Sequence, residues 1–133
     1  MTTLHGTIDV DFTDEIYAEY GSTVFSRRRL RKFFAGGFTG RSEGEFLMTV
    51  DGRGTAAYVG LDWVSATIDG RNGSFVLVHR ATRSLGGESA SVAVLPGSAT
   101  DDLEGLGGTL EITLDSESRH TYTFDYELKE KAG

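Results

Sequence analysis

The sequence predicts an all-β chain that closes into one antiparallel barrel of about eight strands, with little or no helix. Three observations carry this expectation. Apolar residues recur at every second position along most of the chain, as in strands that bury one face. Turn-forming dipeptides interrupt that alternation at short intervals. Eighteen glycines and a single proline in 133 residues suit tight turns between uninterrupted strands. A closed barrel leaves no open edge, which favours it over the alternative, a two-sheet sandwich.

The elements follow in order. Leu4, Gly6, Ile8, Val10 and Phe12 alternate with His5, Thr7, Asp9 and Asp11, giving a first strand. Residues 13–20 read as a loop. Further strands are expected over residues 22–35, 46–50, 55–68, 74–82 and 88–95. A closing hairpin then pairs Leu110, Ile112 and Leu114 with Tyr122, Phe124, Tyr126 and Leu128 across a turn at Asp115-Ser116-Glu117-Ser118. Asp51-Gly52, Asn72-Gly73, Gly86-Gly87 and Pro96-Gly97 are the expected turns between the other strands.

Length and composition bound the function. Residues 1–133 fit a single domain with a core that needs no staple. The absence of cysteine excludes disulfides, thiolate metal sites and cysteine nucleophiles. No apolar run is long enough for a membrane span, and residues 1–6 lack the pattern of an ordinary signal peptide, so a cytoplasmic location is expected. A formal net charge of -7 argues against nucleic-acid or anionic-membrane partners.

The central strands are apolar on both faces. Tyr58, Gly60, Asp62 and Val64 share one face of their strand, and Val59, Leu61 and Trp63 the other. Phe75, Leu77 and His79 likewise oppose Val76, Val78 and Arg80. An outer apolar face needs a cover, either a loop or another subunit. Homo-oligomerisation through Val59, Leu61, Trp63, Val76 and Val78 is the favoured expectation.

Three stretches then become familiar: residues 58–62 (Tyr-Val-Gly-Leu-Asp), residues 70–79 from Gly70 to His79, and residues 94–108 from Val94 to Gly108. With Tyr122-Thr123-Phe124-Asp125-Tyr126, they resemble the bacterial family of unknown function numbered thirty-two twenty-four. That family in turn is similar to the allene oxide cyclase-type barrels. The resemblance implies an eight-stranded barrel, commonly oligomeric, with no established activity. Asp62 stands where the family is expected to favour glutamate. Shared architecture transfers no cyclase activity, because function resides in the site.

Tyr58, Asp62 and His79, with Tyr122 and Tyr126, form the candidate ligand-binding set. Taking Asn72-Gly73 as the turn centre pairs His79 with Ala66, so Asp62 would reach it only diagonally or across the lumen. A buried carboxylate and imidazole can act as an acid–base pair, because burial moves both towards neutrality. They can equally be two polar groups satisfying each other. The tyrosines would supply aromatic walls with hydroxyl handles.

Other motifs carry less. Gly40-Arg41-Ser42-Glu43-Gly44 matches a nucleophile elbow, but a strand follows where that chemistry needs a helix, so it reads as a glycine-rich turn. Asn72-Gly73-Ser74 reads as a hairpin turn rather than a glycosylation site. The stretch from Pro96 to Gly108 lacks the lysine and helix of a phosphate loop and reads as a passage around the barrel end. His5, His79 and His120 lie on separate strands, so no metal and no cofactor are expected.

Five of the thirteen basic residues, Arg27, Arg28, Arg29, Arg31 and Lys32, fall in one stretch. They read as long side chains on the barrel exterior, paired with acidic neighbours. A phosphate or nucleic-acid site beside Phe25 and Phe33 is the competing reading. Three functions follow: a small-molecule-binding barrel with a partly apolar lumen, an isomerase or cyclase using Asp62 or His79, or a filled structural barrel that binds a partner.

Overall fold

A computed structural model of the chain describes residues 1–129. Eight strands run in order: β1 (Thr2–Tyr20), β2 (Thr23–Gly36), β3 (Thr39–Val50), β4 (Ala56–Ile68), β5 (Arg71–Ser84), β6 (Gly87–Val94), β7 (Leu106–Leu114) and β8 (His120–Leu128). Every neighbour is antiparallel, and β8 pairs back onto β1, so the sheet closes into the expected barrel. Among the described residues the one helical element is a single 3-10 turn, Asp101–Leu103. No described helix is long and apolar enough to cross a membrane.

Three local expectations are corrected. Residues 13–20 continue β1 as a strand paired with β2, from Thr13 opposite Arg29 to Tyr20 opposite Thr23, with a bulge at Tyr17. Most of that arm is exposed on both faces, so no core imposed an alternation that could be read. Residues 40–44 are strand rather than turn: Gly40 opposes Ala66 and Gly44 opposes Asp62 within β3 and β4. The β4–β5 turn sits at Asp69-Gly70, not Asn72-Gly73. Both turn residues adopt positive φ (51° and 76°), the geometry a two-residue hairpin needs. Asn72 instead lies in the ladder opposite Thr67, whose hydroxyl donates to its side-chain oxygen at 2.6 Å.

That shift of the turn sets the register of the site. His79 opposes Gly60 and Asp62 opposes Leu77, so the two side chains are diagonal neighbours on the inner face.

The lumen divides into two halves. At the end where the chain crosses from β6 to β7, it is packed solid. Phe34 and Phe38 stack at 5.0 Å, Phe38 meets Tyr122 at 4.9 Å, and Phe124 stacks on Tyr126 at 5.4 Å. Leu103, carried by the 3-10 turn, is buried in this same cluster. The crossing stretch thus steers the chain around the barrel end, as expected, and also contributes to the core. The other half, beneath the β1–β2 and β3–β4 hairpins, is hollow. One side of its wall is thin: β6 and β7 share a single paired position, Ala93 opposite Thr109. Residues 90–93 and 109–114 line the cavity on either side of that seam.

Candidate functional site

The site forms where the packed and hollow halves meet, and β2 supplies its first member. Even-numbered residues of β2 face inward, so Leu30, Lys32 and Phe34 are buried while Arg29 and Arg31 face out. The exterior reading of the basic stretch holds for Arg27 and Arg31, which reach Glu45 at 2.9 Å and Glu43 at 3.8 Å. It fails for Lys32, which is only 5% exposed. An ammonium placed there needs a counter-charge, and Asp62 provides it.

Asp62 is completely buried. Its Oδ2 accepts a hydrogen bond from Lys32 Nζ at 2.8 Å and lies 2.7 Å from His79 Nε2. A bare ring nitrogen would be repelled at that distance from a carboxylate. Nε2 therefore carries the hydrogen, although its N–H points off the line to the oxygen. Asp62 Oδ1 and the buried Ser42 Oγ have no hydrogen-bond partner among the described residues.

Two glycines make this arrangement possible by leaving room. A Cβ at Gly44 would collide with Asp62 Oδ1, and one at Gly60 would strike the Phe46 ring. Phe46 packs at 4.7 Å from the His79 ring, stacks on Tyr58 at 5.3 Å and lies 5.3 Å from Lys32 Nζ. It holds both polar side chains against an aromatic surface.

The electrostatics follow from burial and pairing. Burial pushes the Asp62 carboxyl up, but the close His79 N–H and the Lys32 charge outweigh it, holding the group below the usual carboxylate range. Burial pushes the His79 imidazole down, and the Lys32 charge adds to that against the pull of Asp62. In this trio, at neutral pH, Asp62 is therefore a carboxylate and His79 a neutral imidazole.

Above it lies an open cavity of about 890 Å³. Lys32, His79 and Tyr58 line it, and Ile8, Leu30, Met48, Val92 and Ile112 are among its apolar walls. Of the expected ligand set, Asp62 and His79 come into contact and Tyr58 stands beside them. Burial pushes the Tyr58 hydroxyl up. Tyr122 and Tyr126 lie in the packed half, outside the cavity lining. The Tyr122 hydroxyl is committed to the backbone: it accepts from Phe38 N–H at 3.0 Å and donates to Ala35 O at 3.0 Å. Lys32 is the member that sequence reading missed; its inward parity with Leu30 and Phe34 was the available signal. Among the described residues, no group of three or more His, Asp or Glu side chains is placed to hold a metal.

Fold and site together define a small antiparallel β-barrel protein with an internal polar site. The chain belongs to the family described as protein of unknown function DUF3224, which matches over residues 4–126. It is also similar to a crystal structure of a DUF3224-family protein of unknown function from Shewanella oneidensis. The two share 34% identity and a TM-score of 0.91, over 98% of this chain and 99% of that one. No curated protein matches.

Two outcomes test the trio. Lys32→Met strands a buried carboxylate, so the unfolding free energy should fall by about 3–5 kcal/mol in denaturant titration. Wild-type stability should also depend on pH through His79. Its folded pKa is lowered, so its contribution is complete above the ordinary value of 6.5 and is lost as pH falls through the folded value. Denaturation midpoints should therefore decline as pH drops below about 6.5, and His79→Gln should flatten that part of the profile.

Proposed function

We propose that the protein is a cytoplasmic small-molecule-binding barrel whose hollow half takes a largely apolar ligand bearing a polar oxygen. One observation carries the reading: a cavity of about 890 Å³, with mostly apolar walls and with Arg28, Glu111 and His120 also on its border, ends on Lys32 and His79. Pockets for small molecules commonly have a few hundred to a thousand Å³, apolar walls and a few convergent polar groups. Lys32 can donate to a ligand oxygen while remaining neutralised by Asp62, so an uncharged or weakly charged headgroup suits the floor. The seam between β6 and β7 offers a lateral way in, since a single paired position joins those strands. A fully packed barrel would have no such space, which counts against the purely structural alternative.

The probe for this reading is 1-anilinonaphthalene-8-sulfonate. The native protein should bind it saturably, one molecule per barrel. Ile112→Trp, which fills the cavity from β7, should weaken binding by about tenfold or more, since a filled pocket forfeits the ligand's buried surface. Equal affinities in the two proteins would place the probe elsewhere and remove the reading.

Self-association belongs to the same proposal. On the outer face Leu61 sits opposite Val78, and Trp63 opposite Val76. Val59 and Leu47 extend the strip onto β3. Val59, Leu61, Trp63, Val78 and Leu47 are all exposed. Bordered by Arg80 opposite Val59 and by Glu45 and Glu43 opposite Leu61 and Trp63, this apolar strip with a charged rim suits a second copy of itself in a two-fold contact. Light scattering should give an oligomer mass for the wild type and a monomer mass for Leu61→Arg; a wild-type monomer at high concentration would refute it.

A further inference from the structure

Lys32 and His79 line the cavity, whereas Asp62, which both of them contact, is sealed behind them. A ligand on this floor therefore meets a positive N–H donor and an imidazole, but never the carboxylate itself. With Nε2 turned to Asp62, Nδ1 is the nitrogen left to serve the cavity, and in that tautomer it bears a lone pair. An oxygen-seeking cation and a proton acceptor thus stand side by side at the closed end of an apolar chamber.

From this geometry we infer that the site enolises ketones carrying an apolar ring or chain, with Lys32 holding the carbonyl oxygen and His79 moving the α-proton. The inference rests on the hollow half being a ligand site. In the forward step the α C–H bond breaks and its proton passes to His79 Nδ1. The released electron pair forms the enolate C=C bond, while the C=O π pair moves onto oxygen. Lys32 donates an N–H to that oxygen, where negative charge develops. Asp62 is a positioning residue: it fixes the imidazole tautomer and balances the imidazolium while the proton resides there. When the proton on His79 Nδ1 is replaced by one from solvent and that one is delivered to the same carbon, the result is exchange; delivery of a proton to the γ-carbon of a β,γ-unsaturated ketone instead shifts the double bond. Either outcome balances without oxidant, reductant or cofactor.

The surroundings fit this chemistry better than covalent catalysis. Lys32 is held as an ammonium by its 2.8 Å contact with Asp62, so its nitrogen has no lone pair to attack a carbonyl. The apolar walls lower the local dielectric, which strengthens the Lys32–oxygen attraction as charge builds.

The test uses 2-tetralone in D₂O, with α-hydrogen exchange followed by proton NMR and binding followed by ligand titration. Wild-type protein should exchange the α-hydrogens about a hundredfold or more above buffer, within the range expected for one positioned base. His79→Gln should exchange 2-tetralone at the buffer rate even at ketone concentrations that saturate its own binding, because loss of the base removes proton transfer from the bound complex. Asp62→Asn should slow exchange while shifting the ¹⁵N resonances of His79 away from the Nε2–H tautomer, a change that loss of stability alone would not produce. Should the variants fail to fold, the wild-type measurement decides. Binding of 2-tetralone without exchange above buffer overturns proton transfer and leaves the ligand site standing. Binding of 1-anilinonaphthalene-8-sulfonate but not of 2-tetralone overturns the ketone assignment. Failure of both probes to bind overturns this inference and the proposed function together.

Discussion

The buried carboxylate of Asp62 is the constraint on which the rest of the inner architecture depends. A lone charge at complete burial would cost several kcal/mol, so the chain must bring it partners. Lys32 arrives from β2 and His79 from β5, both at hydrogen-bonding distance from one oxygen. Neither arrival is local in sequence: the register of the β4–β5 pair brings His79, and Lys32 reaches across β3 from β2. The β4–β5 turn at Asp69-Gly70 is thus more than a connection. A turn centred three residues later would carry His79 to the level of Ala66, out of reach of Asp62.

Space is the second requirement, and it is met by subtraction. Gly44 and Gly60 flank the site on β3 and β4, and each leaves a hollow that a neighbouring side chain fills. Asp62 occupies one and Phe46 the other. Phe46 then becomes the wall against which His79 and Lys32 rest, so two missing side chains order four others. Below, the aromatic cluster around Phe38 and Tyr122 closes the lumen, and the Tyr122 hydroxyl secures the β2–β3 turn. A packed floor and an open upper half result from the same barrel: Phe34, Phe38, Phe75, Tyr122 and Phe124 fill the lower lumen, and no comparable cluster fills the space bordered by Val10, Leu30, Val92 and Ile112 among the described residues.

Much of this was legible in the sequence. Period-two alternation located the strands, and it put Asp62 and His79 on inner faces, because a buried face imposes its parity on every strand that has one. Where burial was absent or unusual, reading failed. Residues 13–20 are a strand exposed on both sides, held by pairing with β2, and backbone pairing leaves no mark on composition. Residues 40–44 looked like a turn because glycine is more often selected for conformation than for the room it leaves. Asn72-Gly73 lost to Asp69-Gly70 since both dipeptides satisfy the same local rule, and only the longer ladder separates them. Lys32 was masked by its neighbours. Amid four arginines, a lysine reads as one more surface cation, although its parity matches Leu30 and Phe34.

A buried ion pair is weak evidence of stability, because well-packed apolar residues of similar volume commonly do as well or better. The trio therefore points away from a purely architectural role. Its two outward members face the cavity and its innermost member does not, an arrangement that packing alone would not require. Asp62 Oδ1 and Ser42 Oγ, both without a partner among the described residues, add further polar cost beside the trio. Sites at which desolvation and specific charge partners displace titration together are those at which proteins bind and transform ligands. In this barrel, Asp62 and Ser42 lie behind Lys32 and His79, the polar side chains that a molecule at the closed end of the lumen would touch.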